Sequence, residues 1–239
     1  FMLMGDTCTR GCRFCAVKSA KYPPDLDINE PSKLAGTIKK MNLNYVVLTT
    51  VNRDDLPDQG ASHIARCIKA IQRTSPQLLI EMLMPDFRGD KEQLQKIIDA
   101  SPSVLAHNLE TVRRLTPDIR DFRANYDQSL EVLRYLKTNC TKRYTKSSLM
   151  LGLGESREEI LQAMEDMIDA GVDFLTIGQY LQPTRKHLKV VKFLHPEEFN
   201  ELKQIGDKMG FDYVASGPLV RSSYKAAEFY IERKIRGTS

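Results

Sequence analysis

The chain has 239 residues, 41% of them hydrophobic and 28% charged, which suits one large domain or two small ones and excludes disorder as the main state. Its 35 basic and 31 acidic residues leave a net charge of only +4, so the basic stripe of a nucleic-acid binder is not expected. Mean hydropathy is -0.38 and no apolar run approaches the roughly 18 residues that span a bilayer, which excludes membrane-spanning helices.

A start on Phe1, inside an apolar run, reads as an excerpt of a longer protein, with any targeting segment upstream. Short apolar runs then recur at 1–4, 45–48, 78–80, 104–106, 149–151 and 174–177. Continuous runs of this kind are how strands buried on both faces read. Helical stripes lie between them: Ile64, Ile68 and Ile71; Leu94, Ile97 and Ile98; Leu130, Leu133 and Leu136; Ile160, Met164 and Ile168. Ser156 and Glu159 have capping-box spacing, and Gly171 stands where the last helix should stop.

Strand and helix thus alternate about six times, the pattern of an α/β protein with parallel strands. Doubly wound sheets and (β/α) barrels both alternate in this way. Polar residues favour the barrel. Thr50, Asn52, Asp54 and Asp55 follow the second strand, Asp86 and Arg88 the third, Asn108 and Glu110 the fourth, Gly152, Gly154 and Glu155 the fifth, and Gln179 the sixth. Strands that all deliver polar residues to one edge describe a barrel mouth with a central site. The expected fold is a partial (β/α)6 barrel over 1–210, with a C-terminal extension over 211–239 in the same structural domain.

Cys8, Cys12 and Cys15 crowd into eight residues directly after the first strand. A structural zinc takes four ligands and no histidine lies nearby to complete it. Three thiolates and an open position suit a [4Fe–4S] cluster with one iron left for a small molecule. Cys67, in a helical stripe, and Cys140, among polar residues, read as structural.

Positions 8–15, Cys-Thr-Arg-Gly-Cys-Arg-Phe-Cys, resemble the signature of radical S-adenosylmethionine (SAM) enzymes. The resemblance implies a (β/α) barrel whose cluster chelates SAM and cleaves it to a 5′-deoxyadenosyl radical. Further motifs are similar to the lipoyl synthase family, in its eukaryotic, mitochondrial branch. They are Asn52-Arg53-Asp54-Asp55, Met84-Pro85-Asp86-Phe87-Arg88, His107-Asn108-Leu109-Glu110, Gly152-Leu153-Gly154-Glu155, Gly178-Gln179-Tyr180 and Arg221-Ser222-Ser223-Tyr224.

That resemblance implies insertion of two sulfur atoms at C6 and C8 of a protein-bound octanoyl-lysine. It also implies a mitochondrial matrix location and a second, auxiliary [4Fe–4S] cluster. Ser223 would be one ligand of that cluster, and the others would be cysteines upstream of Phe1. Implied partners are octanoylated lipoyl carrier domains, an electron donor such as ferredoxin, and iron–sulfur cluster delivery proteins, with neither nucleic acid nor membrane.

For SAM, Asn108 and Glu110 are expected at the ribose, Thr50 and Asn52 at the amino and carboxylate groups, and Gly152 and Gly154 beside the adenine. Arg185, Lys186, His187, Lys189 and Lys192 form a basic run that is either solvated or a dock for an acidic carrier. Asp54 and Asp55 are expected to be solvated or paired with Arg53. The alternatives are another radical SAM sulfur-inserting enzyme, or an inactive iron–sulfur and SAM-binding relative.

Overall fold

The computed structural model describes residues 1–222 and 228–237. Ser223, expected as a cluster ligand, lies outside the described residues. The chain opens with β1 (Met2–Leu3) and a two-stranded parallel ladder, β2 (Thr7–Cys8) and β3 (Lys18–Ser19), which brackets the cysteine loop. There follow α1 (Glu30–Met41), β4 (Tyr45–Thr50), α2 (Ala61–Thr74), β5 (Leu79–Leu83), α3 (Lys91–Ala100) and β6 (Val104–Ala106). Then come α4 (Thr116–Ile119), α5 (Tyr126–Asn139), β7 (Tyr144–Leu151), α6 (Arg157–Asp169), β8 (Phe174–Gln179), α7 (Pro196–Met209), β9 (Tyr213–Gly217) and α8 (Glu228–Arg236).

Seven strands make the main sheet in the order β1-β4-β5-β6-β7-β8-β9, all pairings parallel. A doubly wound sheet reverses its order at a switch point. This one never does, so it winds in one sense, as the wall of a barrel does. Among the described residues β1 and β9 each have a single neighbour, which leaves the barrel partial. The sheet carries one strand more than the six expected. The seventh, β9, lies in the stretch read as an extension.

Alternation along the strands separates an outer from an inner core. Ile80 and Met82 of β5 face outward onto Ile64, Ile68 and Ile71 of α2 and Leu94 of α3. Leu149, Leu175 and Ile177 face Ile160 and Met164 of α6 and Phe199 of α7. Each such side chain, fully buried, contributes about 1.5–3 kcal/mol. Inside, Tyr45, Val104 and Phe174 pack with Val47, Leu79, Tyr144 and Tyr213, and the ring centroids of Tyr144 and Phe174 stack 4.8 Å apart. Ile231 and Ile235 of α8 close this layer, so the C-terminal helix reaches the barrel interior.

The α6 capping box forms as expected: Ser156 Oγ accepts from the Glu159 N–H, and Glu159 accepts from the Ser156 N–H. The two-residue β1 is pinned at its end. Met4, in a left-handed conformation, donates its N–H to both Glu30 oxygens at 3.1 and 3.2 Å. Glu30 also meets His63 Nε2 at 2.5 Å, and Cys67 lies one turn further along α2, fully buried. Donor atoms of Glu30, His63 and Cys67 fall within 4.8 Å of one another, but the carboxylate already serves Met4 and His63. Cys67 is therefore a core residue, as expected, and buried Cys140 accepts a contact from Arg143.

Candidate functional site

Cys8 ends β2, and the loop after it returns Cys12 and Cys15 to the same cavity beside the ends of β4, β5 and β6. Backbone donors aim at the sulfurs. Cys8 Sγ accepts from the N–H groups of Asn52 (3.3 Å) and Arg10 (3.4 Å), and Cys12 Sγ from that of Asp121 (3.3 Å). Burial pushes the Cys12 thiol up to about 11 and raises that of Cys15. Thiolates are stable in such a place only beside a strong positive charge, and a metal centre supplies one. Three thiolates lining one cavity, two of them with N–H donors directed at the sulfur, fit a cluster of several irons.

The loop is clamped by buried charge. Arg10 donates to Asp86 at 2.6 and 2.7 Å and to Asp54 at 3.0 Å through two nitrogens. Asp54 also accepts from Thr9 Oγ1 (2.6 Å) and Arg88 (2.9 Å). Burial alone would raise the Asp54 carboxyl, yet the hydrogen bonds from Arg10 and Thr9 hold it well below the carboxylate range. Asp121 is held at about 2: burial opposes this, but Arg123 and the Gly11 N–H overcome it. Arg123 in turn donates to the Thr9 carbonyl at 2.7 Å. Asp55 pairs with Arg53 at 2.8 Å, as one reading expected, whereas Asp54 is neither solvated nor bonded to Arg53.

Thr50, Asn52, Asn108 and Glu110 line the cavity that holds the three cysteines. Asn108 Nδ2 donates to Glu110 Oε1 at 3.1 Å. Glu110 sits in a left-handed conformation, bridged to β7: its N–H donates to the Ser148 carbonyl, and its carbonyl accepts from the Met150 N–H. Desolvation raises the Glu110 carboxyl above its usual value, against the pull of Arg120 and Asn108. A neighbouring amide and carboxyl in a partly dry wall can grip paired hydroxyl groups.

Gly152 and Gly154 line a separate cavity with Lys192 and Leu194. At Gly152, φ is +103° and a Cβ would lie 2.4 Å from the Lys192 carbonyl oxygen, so close packing of two backbone segments already requires glycine there. In the basic run, Arg185, Lys186 and Lys189 are exposed. His187 turns inward and its Nε2 donates to the Cys15 carbonyl at 3.0 Å, tying this loop to the cysteine loop. Lys192 pairs with Glu198 at 2.6 Å.

A second cavity adjoins the first and shares Phe14, Asn108 and Glu110 with it. Met150, Tyr180, Arg221 and Ser222 are among its other walls. Sequence reasoning missed this cavity, because nothing in local spacing brings residues 220–222 beneath the end of β7. It also missed the buried roles of Arg10 and His107. Burial and the neighbouring Arg120 lower His107 to about 4, so the ring is neutral, its Nδ1 donating to the Met84 carbonyl and its Nε2 accepting from Ser129 Oγ.

A singly wound parallel barrel wall, with a three-cysteine loop after its first strand facing polar strand ends, defines an iron–sulfur α/β enzyme class. The Radical SAM superfamily model matches residues 2–167, and the chain belongs to that superfamily. It is 54% identical over 234 residues to "Lipoyl synthase, mitochondrial" of Branchiostoma floridae, covering 98% of this chain and 62% of the relative. With the protein of the same name from Schizosaccharomyces pombe it is 52% identical over 238 residues, covering 100% of this chain and 64% of the relative. The chain therefore spans less than two thirds of these relatives' length. In fold it is similar to methylornithine synthase (PylB), with a TM-score of 0.66 at 14% identity, covering 94% of this chain and 74% of that one.

Proposed function

We propose that this chain is the radical-generating core of a lipoyl synthase, acting on an octanoyl-lysine of a lipoyl carrier domain and inserting sulfur at C6 and C8. The observation that carries the reading is likeness above 50% to two proteins of that name along nearly the whole chain. Cysteines, polar strand ends and a second cavity that meet at shared residues support it. In this reading Cys8, Cys12 and Cys15 hold a [4Fe–4S] cluster. Asn108 and Glu110 grip the ribose of SAM, while Thr50 and Asn52 meet its amino and carboxylate groups. The adenine role of Gly152 and Gly154 rests on their place after a barrel strand, and they line neither of the two cavities that share Asn108 and Glu110.

When bound, the cluster and SAM supply a carbon radical able to take hydrogen from an unactivated methylene. This chain's residues orient that chemistry and keep water from it. The Arg10 clamp fixes the cysteine loop, and Phe14, Met150 and Tyr180 give the second cavity apolar surface for an acyl chain. Ser223, with cysteines outside this chain, would hold the auxiliary cluster that donates sulfur. Exposed Arg185, Lys186 and Lys189 offer a docking face for an acidic carrier. A ferredoxin-like electron donor and cluster delivery proteins complete the partners; the relatives' names place those proteins in the mitochondrion, and the family resemblance implies the matrix for this one.

The test is intact mass of an octanoylated carrier domain after anaerobic incubation with the reconstituted native protein, SAM and a reductant. A mass gain matching two sulfurs replacing two hydrogens is expected. SAM cleavage with no sulfur gain would point to another radical reaction, and iron binding without cleavage to an inactive relative.

A further inference from the structure

Inside the barrel, Lys146 of β7 and Glu81 of β5 form an ion pair at 2.7 Å with side chains 5% and 1% exposed. The Tyr45 hydroxyl donates to the other Glu81 oxygen at 2.6 Å. Buried pairs of this kind seldom stabilise a fold more than apolar side chains of the same volume. Stability therefore does not explain a charge in the barrel interior. A third contact does, because Lys146 Nζ also donates to the backbone carbonyl of Ser222 at 2.9 Å.

Ser222 belongs to the segment that leaves β9 and lines the second cavity. Two further contacts seat that segment. The Val220 carbonyl lies against Gly178, where a Cβ would come within 2.3 Å of it. Arg221 Nη1 donates to the Gln179 carbonyl, at the end of β8, at 3.5 Å.

We propose that Lys146 is a positioning residue whose ammonium, oriented by Glu81, fixes the Ser222 carbonyl and so sets the 218–222 segment along the second cavity. The ammonium has three donors and no acceptor, so it can bridge a carboxylate and a carbonyl at once. The consequence for sulfur insertion rests on the lipoyl synthase reading, because Ser223 directly follows the fixed carbonyl. The consequence for the segment itself does not.

The test compares the native full-length protein with Lys146→Met/Glu81→Gln, which leaves no unpaired charge buried, and with Gly178→Ala, which displaces Val220 without touching Lys146. Amide hydrogen exchange at 219–222 should quicken about tenfold or more in the double variant, the worth of a charged hydrogen bond, and should quicken also in Gly178→Ala, where the Val220 carbonyl is displaced. Exchange within 174–177 should stay slow, and lipoyl product per 5′-deoxyadenosine should fall. Unchanged exchange at 219–222 in the double variant, or equal quickening throughout the sheet, would overturn the positioning role. A wild-type protein that cleaves SAM without making lipoyl product would instead overturn the sulfur-insertion reading, and the exchange arm would still decide the role of Lys146.

Discussion

Arg10 and Asp86, 76 positions apart, meet through paired hydrogen bonds of 2.6 and 2.7 Å in the buried base of the cysteine loop. The pair fastens the loop between Cys8 and Cys12 to the end of β5. Breaking a buried ion pair from one side typically costs about 3–5 kcal/mol. Asp86→Ala should therefore lower the denaturant midpoint by a corresponding amount and reduce iron retained after reconstitution. A variant with unchanged midpoint and full iron content would show that the loop holds its shape without this clamp.

Replacing Cys8, Cys12 or Cys15 singly with alanine should abolish reductive cleavage of SAM. Anaerobic assays that count 5′-deoxyadenosine read this directly. Persistent product in any one variant would remove that cysteine from the ligand set.

Asn108 and Glu110 share a hydrogen bond of 3.1 Å in the wall of the cysteine cavity. Loss of one buried hydrogen bond to a ligand costs about 1–3 kcal/mol, so Asn108→Ala and Glu110→Ala should each weaken SAM binding about five- to a hundredfold. Equilibrium dialysis with reconstituted protein measures it. Wild-type affinity in both would place the ribose elsewhere.

His107 has its pKa lowered by burial to about 4 from the ordinary 6.5. Between those values the unfolded chain binds the extra proton, so stability is full above the upper value and falls as pH drops through the lower one. The slope from this residue approaches about 1.4 kcal/mol per pH unit inside the window. His107→Gln should be less stable at neutral pH and show a shallower pH dependence across it. An identical slope in urea titrations of the two proteins would contradict the buried neutral ring.

Strand β6 (Val104–Ala106) coincides with its apolar run because both of its faces are covered. Strand β7 begins at Tyr144, five residues before the run at Leu149, because Lys146 and Ser148 face a polar interior and hide the pattern. Strand β9 was missed for a related reason: Ala215, Ser216 and Gly217 are small beside the segment at 218–222 and form no apolar run. In the site, the cysteine spacing and the Asn108–Glu110 pair were legible because each lies within one short stretch. Arg10–Asp86 and Lys146–Glu81, the latter 65 positions apart, exist only after the barrel curves, and local spacing carries no trace of them.

The most direct test of the central claim is a single-turnover count of 5′-deoxyadenosine and lipoyl carrier from the reconstituted native protein, beside its Cys12→Ala variant. Two molecules of 5′-deoxyadenosine per lipoyl group in the native protein, and neither product in the variant, are predicted. Lipoyl product from Cys12→Ala, or 5′-deoxyadenosine from the native protein with no sulfur on the carrier, would contradict it.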